Sequence, residues 1–208
     1  MDSIISSDHS AGSLRDFAIA ALGVEVFMAV FFLECSVHDL STAMFFAFGL
    51  GFLARGHYKS FFVLYLIATI NRETTFLFTV FFVVFYLRRM PALQYLFRIG
   101  YQCLAFAFTR WMITSIYAGN AGAQFYFWPA RVADDYVNQP INTVLLLSTC
   151  VLLGYFVYRN WNQKPAFLRL AFLVLFPLLL IMHLTVGMAF EIRVFAEVFP
   201  VVWVLIWT

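Results

Sequence analysis

An all-α, polytopic transmembrane bundle of about seven to eight helices, some short or broken, is the fold class this sequence predicts. Three observations predict it. Of the 208 residues, 63% are hydrophobic and 12% charged, against roughly 45–50% and about 25% in soluble domains. Apolar runs on the scale of a membrane crossing recur along the chain. The basic residues collect in alternate connections between those runs. With a mean hydropathy of +0.87, a water-soluble globule of this length has too little polar surface to cover itself. That excludes cytosolic enzymes, nucleic-acid binders and secreted modules.

The first 16 residues are polar, carry Asp2, Asp8 and Asp16, and lack the basic stretch and small-residue cleavage site of a signal peptide. They read as a cytoplasmic N-terminus. A spanning helix needs about 20 residues at about 1.5 Å each to cross roughly 30 Å of hydrocarbon. Runs 17–33, 93–117, 141–158 and 167–186 meet or approach that length, and 40–54 is modest. Runs 61–70 and 75–87 are short, and the polar sequence Asn71-Arg72-Glu73-Thr74 separates them. As one helix, 61–87 would hold Arg72 and Glu73 mid-membrane and invert everything after it. As a pair of short helices it gathers Arg15, Arg55, Lys59, Arg88, Arg89, Arg98, Arg159, Lys164 and Arg169 on the cytoplasmic side. The opposite side keeps Arg72, Arg131 and Arg193 with Glu34, Asp39, Glu73, Asp134, Asp135, Glu191 and Glu197. The positive-inside rule selects the pair. No repeat, low-complexity tract or long hydrophilic stretch divides the chain, so 1–208 reads as one integral-membrane domain with 118–139 as its long outer loop.

The 71–74 turn then dips below the outer interface, where broken backbone is tolerated only inside protein or beside a watered cavity. A polar cavity open to the outer face is expected. Ionisable groups cost about 2.5–3.5 kcal/mol at the centre of a membrane helix, so each one invites a partner or a task. Arg72 offers a two-pronged fork for phosphate or carboxylate, with Glu73 to orient it. The plainer account has Arg72 and Glu73 neutralise each other while Asn71 caps a helix; it is the less favoured because a cap needs no arginine. Arg193 and Glu197, four apart ahead of Pro200, meet on one helix face while Glu191 points elsewhere. Pairing and function have equal weight there. Asp39, next to His38 at a span start, reads first as a helix N-cap. Asp134 and Asp135 read as a solvated loop, an adjacent pair being only a weak signal for a divalent cation. Glu25 and Arg110, each inside an apolar run, are candidates to pair across helices.

Several chemistries drop out. Lys59 and Lys164 fall in cytoplasmic connections, leaving no intramembrane lysine for a Schiff base. His9, His38, His57 and His183 are too dispersed for a bis-histidine haem or copper site. Cys35, Cys103 and Cys150 form no CxxC and read as small apolar fillers. No GxSxG, Walker loop or HExxH is present. The 27 phenylalanines supply packing and lipid-facing surface. The sequence names no cofactor and requires no metal, and its net charge of +2 names no partner beyond the bilayer.

The order Asp39, then Arg-Gly-His-Tyr-Lys at 55–59, Ala-Thr-Ile-Asn-Arg-Glu-Thr-Thr at 68–75, Arg88-Arg89 and Glu-Ile-Arg-Val-Phe-Ala-Glu-Val-Phe-Pro at 191–200 resembles polytopic bacterial membrane proteins of the GT-C glycosyltransferase-like group. The resemblance runs from Asp39 onward. It implies a polyprenyl-phosphate-linked sugar as substrate, a site on the periplasmic face and residence in the bacterial inner membrane. It further implies a substrate-binding set of Asn71, Arg72 and Arg193, with either arginine on the donor phosphate, and a catalytic base among Asp39, Glu73, Glu191 and Glu197. GT-C enzymes usually carry their acidic motif in a sizeable first outer loop, where this chain has the short segment 34–39. The likeness is thus to a partial or degenerate member, or to the later part of a longer architecture. The competing class is a non-catalytic membrane subunit, a lipid-phosphate or anionic-solute transporter or a scaffold, which needs only the Arg/Glu cavity.

Overall fold

The computed structural model describes residues 37–118, 129–186 and 195–207, so the polar N-terminus and the run 17–33 lie outside the described residues. Among the described residues all regular structure is helical. The helices are α1 (Val37–Ala54), α2 (Tyr58–Asn71), α3 (Phe76–Tyr86), α4 (Ala92–Ile116), α5 (Pro129–Asn138), α6 (Pro140–Tyr158), α7 (Ala166–Val186) and α8 (Phe199–Trp207). Short 3-10 turns at Glu73–Thr75 and Trp161–Gln163 join α2 to α3 and α6 to α7.

The stretch 61–87 is an antiparallel hairpin. The Tyr65 hydroxyl meets Thr79 Oγ1 at 2.9 Å. Phe61 packs edge-on to Phe78 with centroids 5.6 Å apart, and Tyr58 meets Tyr86 at 5.6 Å. Tyr58, far from the turn, meets Tyr86, and Tyr65, nearer to it, meets Thr79, which a single helix cannot reproduce: at 1.5 Å per residue it would hold Tyr58 and Tyr86 about 40 Å apart. The break has a local cause. Arg72 leaves α2 with extended backbone, φ −152° and ψ 145°. The Ala68 carbonyl then accepts twice, from the Arg72 backbone N–H at 3.0 Å and from the Thr75 hydroxyl at 2.9 Å, which ties the turn back onto the end of α2.

The core is aromatic. Phe46 of α1 stacks on Phe78 of α3 at 4.1 Å. Gly49 permits that approach, because a Cβ there would overlap the Phe78 ring. Helix α4 packs along α2 and α3, α7 packs on α3, and α8 packs against α1, α6 and α7. Phe167 of α7 sets its ring across Phe81 and Phe85 at 5.2 and 4.9 Å. The connection 118–139, expected as a long loop, is not all loop: α5 forms within it and packs on α6 and α7. Tyr136 fastens α5, its hydroxyl standing 2.8 Å from Nε2 of the buried His183.

Among the described residues one helix segment, Ala166–Thr185, is long and apolar enough to cross a membrane; Asp39–Ala54 and Glu73–Tyr86 are apolar but shorter. Helix α4 has the length, yet carries Gln94, Arg98, Gln102 and Arg110. Its outer surface, and that of α6, is nonetheless apolar: Leu104, Phe108, Trp111, Ile141, Val144 and Val151 are all exposed.

Charges separate to two ends of the bundle. The turns joining α1 to α2, α3 to α4 and α6 to α7, with the helix ends beside them, hold Arg55, Lys59, Arg88, Arg89, Arg98, Arg159, Lys164 and Arg169, and no carboxylate among the described residues. Gly56 makes the first of these turns with φ 69°, a conformation that suits glycine. The other end carries Asp39, Glu73, Asp134 and Glu197, together with Arg72 and Arg110. Lys164, expected in a solvated connection, is buried. Its ammonium donates to the Leu205 carbonyl at the end of α8, and to the Phe156 carbonyl of α6 at 3.3 Å. A cation there satisfies open carbonyls and suits the helix dipole. Burial, helped by the Arg159 charge, lowers the Lys164 pKa from its ordinary value.

Candidate functional site

The acidic end is assembled from three segments. Asp39 lies in the first turn of α1, Arg72 in the extended break after α2, and Glu197 in the turn that precedes α8. Arg72 Nη1 stands 3.0 Å from Asp39 Oδ1 and 3.7 Å from Glu197 Oε1. Both carboxylates are buried, while Arg72 keeps 27% of its side chain exposed. Asn71 ties the break to α1: its amide donates to Thr42 Oγ1 at 3.0 Å and its carbonyl accepts from Ser41 at 3.2 Å. Neither oxygen of Glu197 has a hydrogen-bond partner among the described residues; the Thr74 hydroxyl stands beside it outside bonding geometry. Arg72 thus sets one cation against two buried acids, and a buried charge that loses a partner is costly.

A second ion pair lies next to the first. Arg110 Nη2 of α4 is 3.2 Å from Glu73 Oε2, and Glu73 is 73% exposed. Beside it opens a cleft of about 350 Å³, walled by Phe76 and Leu77 of α3, Phe106 of α4 and Met182 of α7, with Glu73 and Thr74 as its polar members. Thr74 lines this cleft and also adjoins Glu197, so one side chain separates the cleft from the buried cluster.

Compared with protein-family models, curated proteins and solved structures, the chain matches none.

Asp39, Asn71, Arg72 and Glu197 therefore come together, and Glu73 is set to one side of them. Arg72 and Glu73 do not pair with each other, as adjacency suggested: extended backbone sends neighbouring side chains opposite ways. Asp39, expected as an N-cap, lies inside the first turn of α1 and takes the Arg72 charge. Arg110 finds Glu73, and its other candidate partner, Glu25, lies outside the described residues. Glu191 and Arg193 also lie outside them, and with them the Arg193–Glu197 pair. Glu197 itself occupies a turn and not a helix. Of the described carboxylates named as a base, Asp39 and Glu197 are buried against Arg72, and Glu73 is the one lining the cleft. Arg110 was not among the expected site residues. Its signal was present, an arginine well inside a 25-residue helix, but the partner was not readable from spacing. Among the described residues no group of three or more His, Cys, Asp or Glu is placed to hold a metal.

Proposed function

We propose that this protein is a multi-pass integral membrane protein, its basic end cytoplasmic, and that its acidic end binds a lipid-linked phosphate sugar in the manner of the GT-C glycosyltransferase-like group it resembles. Two features support the membrane reading. Large apolar side chains are exposed along α2, α4, α6 and α7, more than a water-facing monomer normally carries. The basic residues collect at one end, as the positive-inside rule asks of a bacterial inner-membrane protein.

The observation that carries the ligand is the cleft: apolar walls from three helices, with Glu73 in the lining and Arg110 paired to it, suit an amphiphile with an anionic group. An exposed ion pair is worth about 0.2–1 kcal/mol, and a phosphate offered to arginine makes stronger, charge-assisted bonds. A phosphate can therefore take Arg110 from Glu73. The freed carboxylate, still in the cleft, is then the candidate base or orienting group. Asp39 and Glu197 act on Arg72, which turns its exposed part to the same end of the bundle. The second reading, a non-catalytic subunit or scaffold, draws on the same cluster: Arg72 is already matched by two acids and needs no ligand to be stable.

Native mass spectrometry of the detergent-purified protein tests these readings. A retained polyprenyl-phosphate lipid that Arg110→Ala loses supports the cleft. Sugar transfer that Glu73→Gln abolishes while the lipid is kept marks an enzyme, and retention without any turnover marks a carrier. No retained lipid leaves the scaffold.

A further inference from the structure

At the basic end, on the opposite side of the bundle from the acidic cluster, a second cleft of about 540 Å³ opens between α2 and α4. Tyr58, Lys59 and Phe62 of α2 face Leu93, Phe97 and Arg98 of α4 across it. From this arrangement we infer a binding site for the phosphate headgroup of an anionic glycerophospholipid, with the acyl chains lying along α4. The inference rests on the membrane reading above and not on glycosyl transfer.

Four observations carry it. The Arg98 guanidinium sits 3.6 Å from the centroid of the Tyr58 ring, a cation–π contact that fixes the fork while leaving its N–H edges open. Arg98 and Lys59 make no ion pair among the described residues, and this end holds no described carboxylate to compete for them. Gln94, exposed and also lining the cleft, adds an uncharged donor. The wall is strongly apolar and open: Leu93 is 82% and Phe97 75% exposed. That wall continues into the exposed face of α4 through Leu104 and Phe108. A free phosphate would use the basic groups and leave this wall wet, whereas a phospholipid uses both. Arg88 and Arg89 at the same end strengthen the local potential for an anionic leaflet.

The test uses the full-length chain in detergent, offered phosphatidylglycerol or phosphatidylcholine of matched acyl chains, with retained lipids counted by native mass spectrometry. The wild type is expected to retain phosphatidylglycerol roughly tenfold better, the scale of one charge-assisted contact. Lys59→Gln and Arg98→Gln should each reduce that preference, and the double variant should abolish it. Because Lys59 is exposed, Lys59→Gln keeps the test valid even if Arg98→Gln folds poorly. Equal retention of the two lipids, or a preference unchanged in Lys59→Gln, overturns the site. Full displacement of phosphatidylglycerol by millimolar inorganic phosphate that binds alone overturns the lipid assignment in favour of a free-anion site. Alkaline carbonate extraction of cell membranes separates this from the underlying reading: release of the chain refutes membrane integration, while a retained chain without lipid preference refutes the headgroup site alone.

Discussion

Arg72 forms an ion pair with Asp39, on another helix, and not with Glu73, its neighbour in sequence. The reason is the extended conformation at Arg72, which turns its side chain inward to Asp39 and Glu197 and leaves Glu73 outward for Arg110. A four-residue polar break thereby feeds two separate ion clusters. One is buried and holds α1, α2 and α8 together at this end; the other is exposed at the edge of a cleft.

Removing Arg72 is therefore expected to act first on folding. Arg72→Gln takes the described cation away from buried Asp39 and Glu197, a loss on the scale of about 3–5 kcal/mol for a broken buried pair. The triple variant Asp39→Asn, Arg72→Gln, Glu197→Gln removes all the charge together and should recover much of it. Thermal unfolding in one detergent checks this. A triple variant no more stable than Arg72→Gln would contradict the geometry.

Packing at Gly49 allows a cleaner test, free of charge. A methyl group there meets the Phe78 ring, which is itself stacked on Phe46, so neither ring can yield easily. Gly49→Ala is expected to cost about 1–3 kcal/mol by overpacking, despite its better helix propensity. Gly154 of α6 has open space where its Cβ would fall. Gly154→Ala should be neutral or stabilising by up to about 1 kcal/mol. Melting temperatures of the two variants are expected to move apart.

The hairpin at 61–87 was legible in the sequence because two independent signals agreed: a polar run in the middle of an apolar stretch, and a charge distribution that only an antiparallel pair satisfies. The partners of single charges were not. Glu73 and Arg110 meet because α4 returns along α2 and α3, a fact of tertiary packing that no local spacing encodes. Lys164 looked like a solvated loop residue for the same reason. Its acceptor at Leu205 is 41 residues away, and burial follows from where α8 happens to end.

Topology gives the third expectation. In a cysteine-free background, Asp134→Cys on α5 should react with a membrane-impermeant maleimide from outside intact cells. Lys59→Cys should react only after permeabilisation. Both parent residues are exposed, so accessibility does not confuse the result. The opposite labelling pattern would invert the chain, and labelling of both from outside would reject a membrane between the two ends.

The last expectation concerns the cleft. The Glu73–Arg110 pair is exposed on its Glu73 side, so solvent screens it and its rupture should cost the fold less than about 1 kcal/mol. Variants here are thus expected to stay folded, unlike those at Arg72, and to report on binding. If a lipid-linked phosphate occupies the cleft, Arg110→Lys keeps the charge but loses the two-pronged geometry, and retention should fall roughly tenfold. Glu73→Gln removes the competing carboxylate, so binding should be maintained or strengthened while any transfer reaction is lost. A scaffold predicts none of this asymmetry, because an exposed pair that binds nothing responds equally weakly to either change. Equal lipid retention by wild type, Arg110→Lys and Arg110→Ala, all folded, would remove the phosphate from the cleft.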